Sequence, residues 1–188
     1  MRIRPQAIPD VLLIEPARHG DARGFFSEVW KHSALTAAGI AADFVQDNHS
    51  YSRDAGVLRG LHFQRPPHAQ GKLVRVVRGR ILDVVVDIRE GSPTFGQHVT
   101  AELSSANWLQ IWVPGGFAHG FLTLEPDTEV RYKVDAEYDR AADGGIAWDD
   151  PALGIAWPLP PGGPILSEKD RAAPRLAESR PIFPPGSW

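Results

Sequence analysis

Short apolar runs follow one another along most of the chain, and their spacing is that of strands. "VLLIEP", "GFFSEVW", "ADFVQDNHSYS", "GVLRGLHFQ", "GKLVRVV", "RILDVVVDIR", "FGQHVTAEL", "NWLQIWVP", "HGFLTLE" and "TEVRYKVDAEY" are rich in β-branched and aromatic residues. Gly, Pro, Asp or Asn punctuates most of the junctions between them. Within "ILDVVVDI", alternation puts Leu82, Val84, Val86 and Ile88 on one face, and Ile81, Asp83, Val85 and Asp87 on the other. Within "EVRYKVD", Val130, Tyr132 and Val134 point one way, and Arg131, Lys133 and Asp135 the other. "VVRGRILD" predicts a hairpin centred on Arg78-Gly79. Helices are few: "HSALTAAGI", with Ser33 as cap and Gly39 as stop, and "LSEKDRAAPRL", opened by Ser167-x-x-Asp170. The tail "SRPIFPPGSW" is expected to drape over the surface. No repeat and no charged linker divides the chain. One domain over 1–188 is expected, with a helical segment and Pro-rich tail from about 165 to 188. Roughly ten short strands predict a β-sandwich or jelly roll, with a ligand site lined by inward-facing residues.

Composition narrows the function more than the fold. Hydrophobic residues are 43% and charged residues 23%, so 188 residues can bury a core without staples. A net charge of −3 gives no reason to expect nucleic acid as a partner. Cysteine is absent, which excludes disulfides and thiolate metal sites and suits a reducing compartment. The N-terminal "MRIRPQAIPD" has no signal-like apolar core, and no run approaches a membrane span. A cytoplasmic protein without a membrane partner is therefore expected.

The candidate chemistry concentrates in "GVLRGLHFQRPPHAQGKLVRVVRG", where Arg59, His62, His68 and Lys72 interrupt a Val- and Leu-rich strand pair. Charged groups on a buried face need partners or a task. A metal site would want two or three His and a carboxylate converging, often from an H-x-H pair. No such pair exists, and His68 falls in a Pro-rich loop; His19, His32 and His98 read as surface or turn residues. His62 reads as a general base or as a core histidine held by one hydrogen bond. Arg59 and Lys72 beside it suit an anionic ligand, or else decorate a solvated face. Tyr132 reads as a core residue or as a general acid near a cation. Tyr138 shares its parity if the strand runs straight, and can stack a base ring. Arg23, Glu28, Gln46 and Asn48 are the fork-shaped and amide groups suited to sugar and pyrophosphate.

In order along the chain, "DARGFFSEVW", "FVQDNHSYS", "GVLRGLHFQ", "QGKLVRVVRGRILDVVVDIR", "SPTFGQ", "VPGGFAHGFL", "IAWDDPALGIAWP" and "LSEKD" closely resemble the dTDP-4-dehydrorhamnose 3,5-epimerase family. The resemblance runs to about Pro174. It implies a mainly β fold, the cupin-type jelly roll (double-stranded β-helix), a homodimer, and no metal or organic cofactor. It implies conversion of dTDP-4-keto-6-deoxy-D-glucose to dTDP-4-keto-L-rhamnose, for rhamnose-containing surface polysaccharides such as O-antigen. Carried over by position, it makes His62 the base, Asp170 its orienting carboxylate, Tyr132 the acid and Lys72 the stabiliser of the enolate oxygen. Arg23, Glu28, Gln46, Asn48, Arg59, Lys72, His119 and Lys169 match nucleotide-sugar contacts, and Tyr138 matches the residue stacked on thymine. Asp143 stands where the family often has Glu, and Phe63 where Tyr is frequent.

The chemistry agrees with these roles. C3 and C5 flank a C4 ketone, so either proton can leave to form an enolate at O4. A cation near O4 stabilises charge that develops only in the transition state. Inversion returns the proton from the opposite face, so acid and base must stand on opposite sides of the ring. Three other readings remain open: a single-site 3- or 5-epimerase, a nucleotide-sugar-binding cupin without turnover, and a metal-dependent cupin. Asp170 by itself also reads as a helix-cap residue.

Overall fold

A computed structural model describes all residues, 1–188. Its strands are β1 (Arg2–Pro5), β2 (Leu12–Glu15), β3 (His19–Asp21), β4 (Gly24–Phe26), β5 (Gln46–Ser52), β6 (Leu58–Gln64) and β7 (Lys72–Arg78). They continue as β8 (Arg80–Asp87), β9 (His98–Ser104), β10 (Gln110–Val113), β11 (Phe117–Thr123), β12 (Thr128–Val134) and β13 (Asp143–Gly145). Three short helices complete the chain: α1 (His32–Ala37), α2 (Glu168–Arg171) and α3 (Leu176–Ser179).

Two antiparallel sheets face each other, in the orders β1-β2-β10-β7-β12-β5 and β13-β6-β11-β8-β9. From β5 to β8 the chain alternates between them, and it does so again from β9 to β13. Of the sandwich or jelly roll that the run of short strands predicts, it is the jelly roll, of the cupin type that the family resemblance implies. No helix is long and apolar enough to cross a membrane.

Alternation along the strands divides the buried residues into three clusters. Leu13, Val74, Val76, Ile81, Val85, Ile111, Val113, Phe117, Phe121 and Val130 pack between the sheets. Val84, Val86 and Ile88, from the opposite side of β8, pack outside the five-stranded sheet with Leu61, Phe63, Leu176, Ile182 and Phe183. Leu73 and Trp112 pack with Leu35 and Ile40 on the outer side of the other sheet. Both faces of β8 are thus buried, with the parity that its sequence predicts.

Four local expectations need correction. The turn at Gly79 exists, with φ 77°, but β7 and β8 do not pair; they lie in different sheets. Val76 and Ile81 meet in the same core instead, and a Cβ at Gly79 would stand 2.3 Å from Thr128 Oγ1. Lys31, not Ser33, occupies the N-cap of α1, with no side-chain bond. Burial of Leu35 and Ile40 beneath the sheet sets the position of that turn and outweighs a Ser cap worth ~1 kcal/mol. "GFFSEVW" contributes only Gly24–Phe26, paired with β3 in a separate two-stranded finger. The tail does not merely drape: Phe183 is 1% exposed, and its carbonyl accepts from Glu90 N at 2.8 Å.

Candidate active site

The space between the sheets is apolar at one end and polar at the other. At the polar end Ser50, Arg59, His62, Lys72, His119, Phe121, Tyr132, Ser167 and Asp170 line a cavity of about 230 Å³. Arg59 and His62 come from β6 and His119 from β11; Lys72 comes from β7 and Tyr132 from β12. One wall therefore carries His62 and the facing wall carries Tyr132.

A straight strand could not present both Arg59 and His62 to one cavity, because residues three apart point to opposite faces. Here Phe121 is opposite Arg59 while His119 is opposite His62, so β6 carries one extra residue across that interval. This β-bulge changes the parity between the two side chains. Gly60 lies inside it, and a Cβ there would stand 2.5 Å from Gly120 Cα. The close approach of β6 and β11 thus requires glycine at this crossing.

His62 Nε2 lies 2.5 Å from Asp170 Oδ1, and Asp170 is only 5% exposed. Ser167 caps α2 as its sequence predicts: Oγ accepts from Asp170 N at 3.1 Å and donates to Asp170 Oδ2 at 2.7 Å. Burial pushes the Asp170 carboxyl up, but the bonds and charge of His62, then Ser167 and the Gly60 amide, bring it below its ordinary value. An ionised carboxylate only accepts, so Nε2 carries the proton and Nδ1 keeps the lone pair. The helix-cap and dyad readings of Asp170 are thus compatible. Its amide completes the cap while its carboxylate serves His62.

The Tyr132 hydroxyl is raised by burial, against a smaller lowering by the Arg59 charge, and no hydrogen bond contributes. No backbone carbonyl holds this phenol, unlike that of an ordinary core tyrosine. Lys72, also buried, is lowered from 10.5 to about 8 by burial and by Lys169, while Asp83 and Asp143 hold it up. Its one hydrogen bond is a long one, 3.4 Å, to the His62 carbonyl. Arg59 bonds Tyr51 O at 3.2 Å and Ser52 Oγ at 3.4 Å but meets no carboxylate. His119 Nε2 is 2.8 Å from Asp83 Oδ2, and Asp83 is fully buried.

The other expected contacts form a hydrogen-bonded series beside this cavity. Gln46 Nε2 donates to Asn48 Oδ1 at 2.7 Å, and Gln46 Oε1 accepts from Tyr138 N at 3.1 Å. Tyr138 Oη donates to Asp143 Oδ2 at 3.2 Å, and Lys169 pairs with the same carboxylate. β12 ends at Val134, so Tyr138 stands here through the following loop and not through strand parity.

Arg23 and Glu28 are not gathered in. Arg23 extends from the β3-β4 finger with its side chain 90% exposed, paired with Asp21 at 2.6 Å. Glu28 pairs with Lys31 at 3.4 Å beside a separate hollow. His68 lies outside as well, 3.7 Å from Asp139. Nowhere do three His, Asp or Glu side chains gather as metal ligands. Asp83 was not singled out by sequence; only its inward parity on β8 could have signalled it.

A second cavity, of about 220 Å³, gathers Arg75, Arg131 and Lys133 with Trp30 and Tyr132, but contains no histidine. The cavity around His62 combines an imidazole, a phenol and a buried ammonium.

Known proteins share this arrangement of strands. The family model for dTDP-4-dehydrorhamnose 3,5-epimerase matches residues 5–178. A dTDP-4-dehydrorhamnose 3,5-epimerase of Sinorhizobium fredii is 51% identical over 178 residues, covering 95% of this chain and 91% of that one. A crystal structure of a dTDP-6-deoxy-D-glucose-3,5-epimerase from Legionella pneumophila, in complex with dTDP-4-keto-L-rhamnose, matches with TM-score 0.90. It is 46% identical over 94% of this chain and 93% of that one. A 3'-monoepimerase from Streptomyces bikiniensis, in complex with dTDP-quinovose, matches with TM-score 0.88 at 34% identity, over 96% of this chain and 92% of that one. With the family model spanning most of the chain and relatives at this identity, the protein belongs to the dTDP-4-dehydrorhamnose 3,5-epimerase family.

Proposed function

We propose that this chain converts dTDP-4-keto-6-deoxy-D-glucose to dTDP-4-keto-L-rhamnose by inverting C3 and C5. The observation that carries this reading is the opposition of a His62–Asp170 pair on one wall and an unbonded Tyr132 phenol on the other, with Lys72 buried between them. His62 Nδ1 removes the proton from C5 or C3, and the bonding pair moves to O4 as an enolate. The Lys72 ammonium, buried and therefore weakly screened, stabilises that oxygen. Tyr132, held in its phenol form by its raised pKa, returns a proton from the opposite face and is re-protonated from solvent. His62 passes its proton to solvent, so each centre is inverted with no net change in composition.

Arg59 supplies the cation for the diphosphate, and His119, Asn48, Gln46, Asp143 and Lys169 the polar contacts to sugar and phosphate. Exposed Tyr138 offers a ring for the thymine. No metal or organic cofactor takes part. Arg23 and Glu28 would act from a second copy, since the finger that carries Arg23 extends from the body with Phe25 and Phe26 exposed. The working unit is then a homodimer, which sedimentation reads directly. A cytoplasmic biosynthetic role follows from the nucleotide-sugar substrate.

A single-site epimerase is the alternative, because a 3'-monoepimerase shares the fold at TM-score 0.88. Proton NMR of the 4-keto substrate with the protein in D2O separates the two. Deuterium at both C3 and C5 with the L-rhamno product supports the double epimerase. Exchange at one carbon supports the alternative, and no exchange rejects both.

A further inference from the structure

A second histidine–carboxylate pair lies in the same cavity wall, and the chemistry above gives its carboxylate, Asp83, no role. His119 pairs in register with His62 across β11 and β6, and each imidazole Nε2 is taken by a carboxylate. The two carboxylates differ. Asp170 is satisfied on both oxygens, whereas Asp83 Oδ1 is buried with no hydrogen-bond partner. An unpaired buried carboxylate oxygen is costly, and such a group persists where its charge has a use.

We propose that Asp83 is a positioning residue for the proton chemistry: beneath the cavity it holds His119 in a single tautomer and keeps Lys72 in the ammonium form. The proposal rests on the epimerase reading of this site. By accepting from His119 Nε2, Asp83 leaves Nδ1 as an acceptor toward a sugar hydroxyl. Its second oxygen, buried on β8 with no hydrogen-bond donor, is left to act on Lys72, which must stay protonated despite burial. The other charged or titratable groups around Lys72 are Asp143 on β13, Lys169 and Asp170 on α2, Arg59 and His62 on β6, His119 on β11 and Tyr132 on β12. Asp143 is already paired with Lys169 and Asp170 with His62, so neither is free to balance Lys72. Among the attractions on Lys72, that of Asp83 is the largest.

The test is the pH profile of kcat/KM for Asp83→Asn, which keeps size and one acceptor but removes the charge. An opposite charge at close range moves such a group by about one unit or more. The alkaline limb is then expected to fall from about pH 8 to about pH 7, so that the variant loses about fivefold more kcat/KM at pH 8 than at pH 6, on top of the pH-independent loss from releasing His119. Asp83→Glu restores the charge and should bring the limb back. Asp83→Ser, neutral and smaller, should repeat the shift if the amide is not accommodated. Carbon-13 titration of Lys72, one of four lysines, reads the same displacement in substrate-free protein. An inactive wild type would therefore sink the epimerase reading while this titration still decides the role of Asp83. An unmoved limb or titration, or an equal loss at every pH that Glu does not rescue, overturns the proposal.

Discussion

Replacing Lys72 by Met is expected to stabilise the fold while stopping turnover. Lys72 is 7% exposed, and its ammonium is lowered from 10.5 to about 8 by burial, in spite of Asp83 and Asp143. That gap is worth about 3 kcal/mol, at about 1.36 kcal/mol per pH unit. The attraction of Asp83 is already contained in it, so a neutral side chain of similar length recovers the difference. The sign follows from proton counting. Unfolded lysine keeps its proton to about 10.5, whereas folded Lys72 releases its proton near 8. Between these values the unfolded state holds more protons, and wild-type stability rises with pH. The burden of the buried charge is therefore full below pH 8 and gone above about 10.5. The Met variant should gain up to about 3 kcal/mol at pH 7, roughly 6–12 °C in Tm for a chain of this size. At pH 10 the gain should shrink to under about 1 kcal/mol. Urea unfolding at both pH values measures it. A Met variant less stable than wild type at pH 7, or equally advantaged at pH 7 and pH 10, would refute the reasoning.

Asp170→Asn removes the acceptor that holds the His62 proton on Nε2, and an amide donor there favours the wrong tautomer. Exchange at both carbons should slow by about 10²–10⁴-fold while nucleotide affinity holds, read by NMR and calorimetry; an equal loss of binding would make Asp170 a structural residue. Tyr132→Phe should reduce inversion more than proton loss, so washout into D2O outlasts product formation. Parallel loss of both would assign Tyr132 to shaping the cavity. Phe183→Ala empties a position 1% exposed in the cluster outside the five-stranded sheet and should cost about 3–5 kcal/mol, read by thermal melting. A loss below about 1 kcal/mol would mean that the tail contributes little to folding.

Much of this architecture is written in local pattern. Alternation in "ILDVVVDI" and "EVRYKVD" places Val84, Val86, Val130 and Tyr132 on the faces they occupy, because side chains on a strand alternate whatever lies beyond it. Ser167 caps α2 for a reason contained within four residues. His62, Lys72 and Arg59 are legible as a group because titratable side chains amid Val and Leu need partners. Which strands pair is decided elsewhere. The chain at Gly79 turns as a hairpin would, yet β7 and β8 enter different sheets, since core burial at Val76 and Ile81 depends on residues far along the chain. The bulge that brings Arg59 to the side of His62 exists only where β6 meets β11. Asp83 acquires meaning only beneath His119, thirty-six positions away. Phe183 is a buried anchor only because β8 offers an apolar outer face. Local sequence determines which way a side chain points from its own strand; the tertiary fold decides what it meets, because each meeting depends on register between segments that share no local interaction.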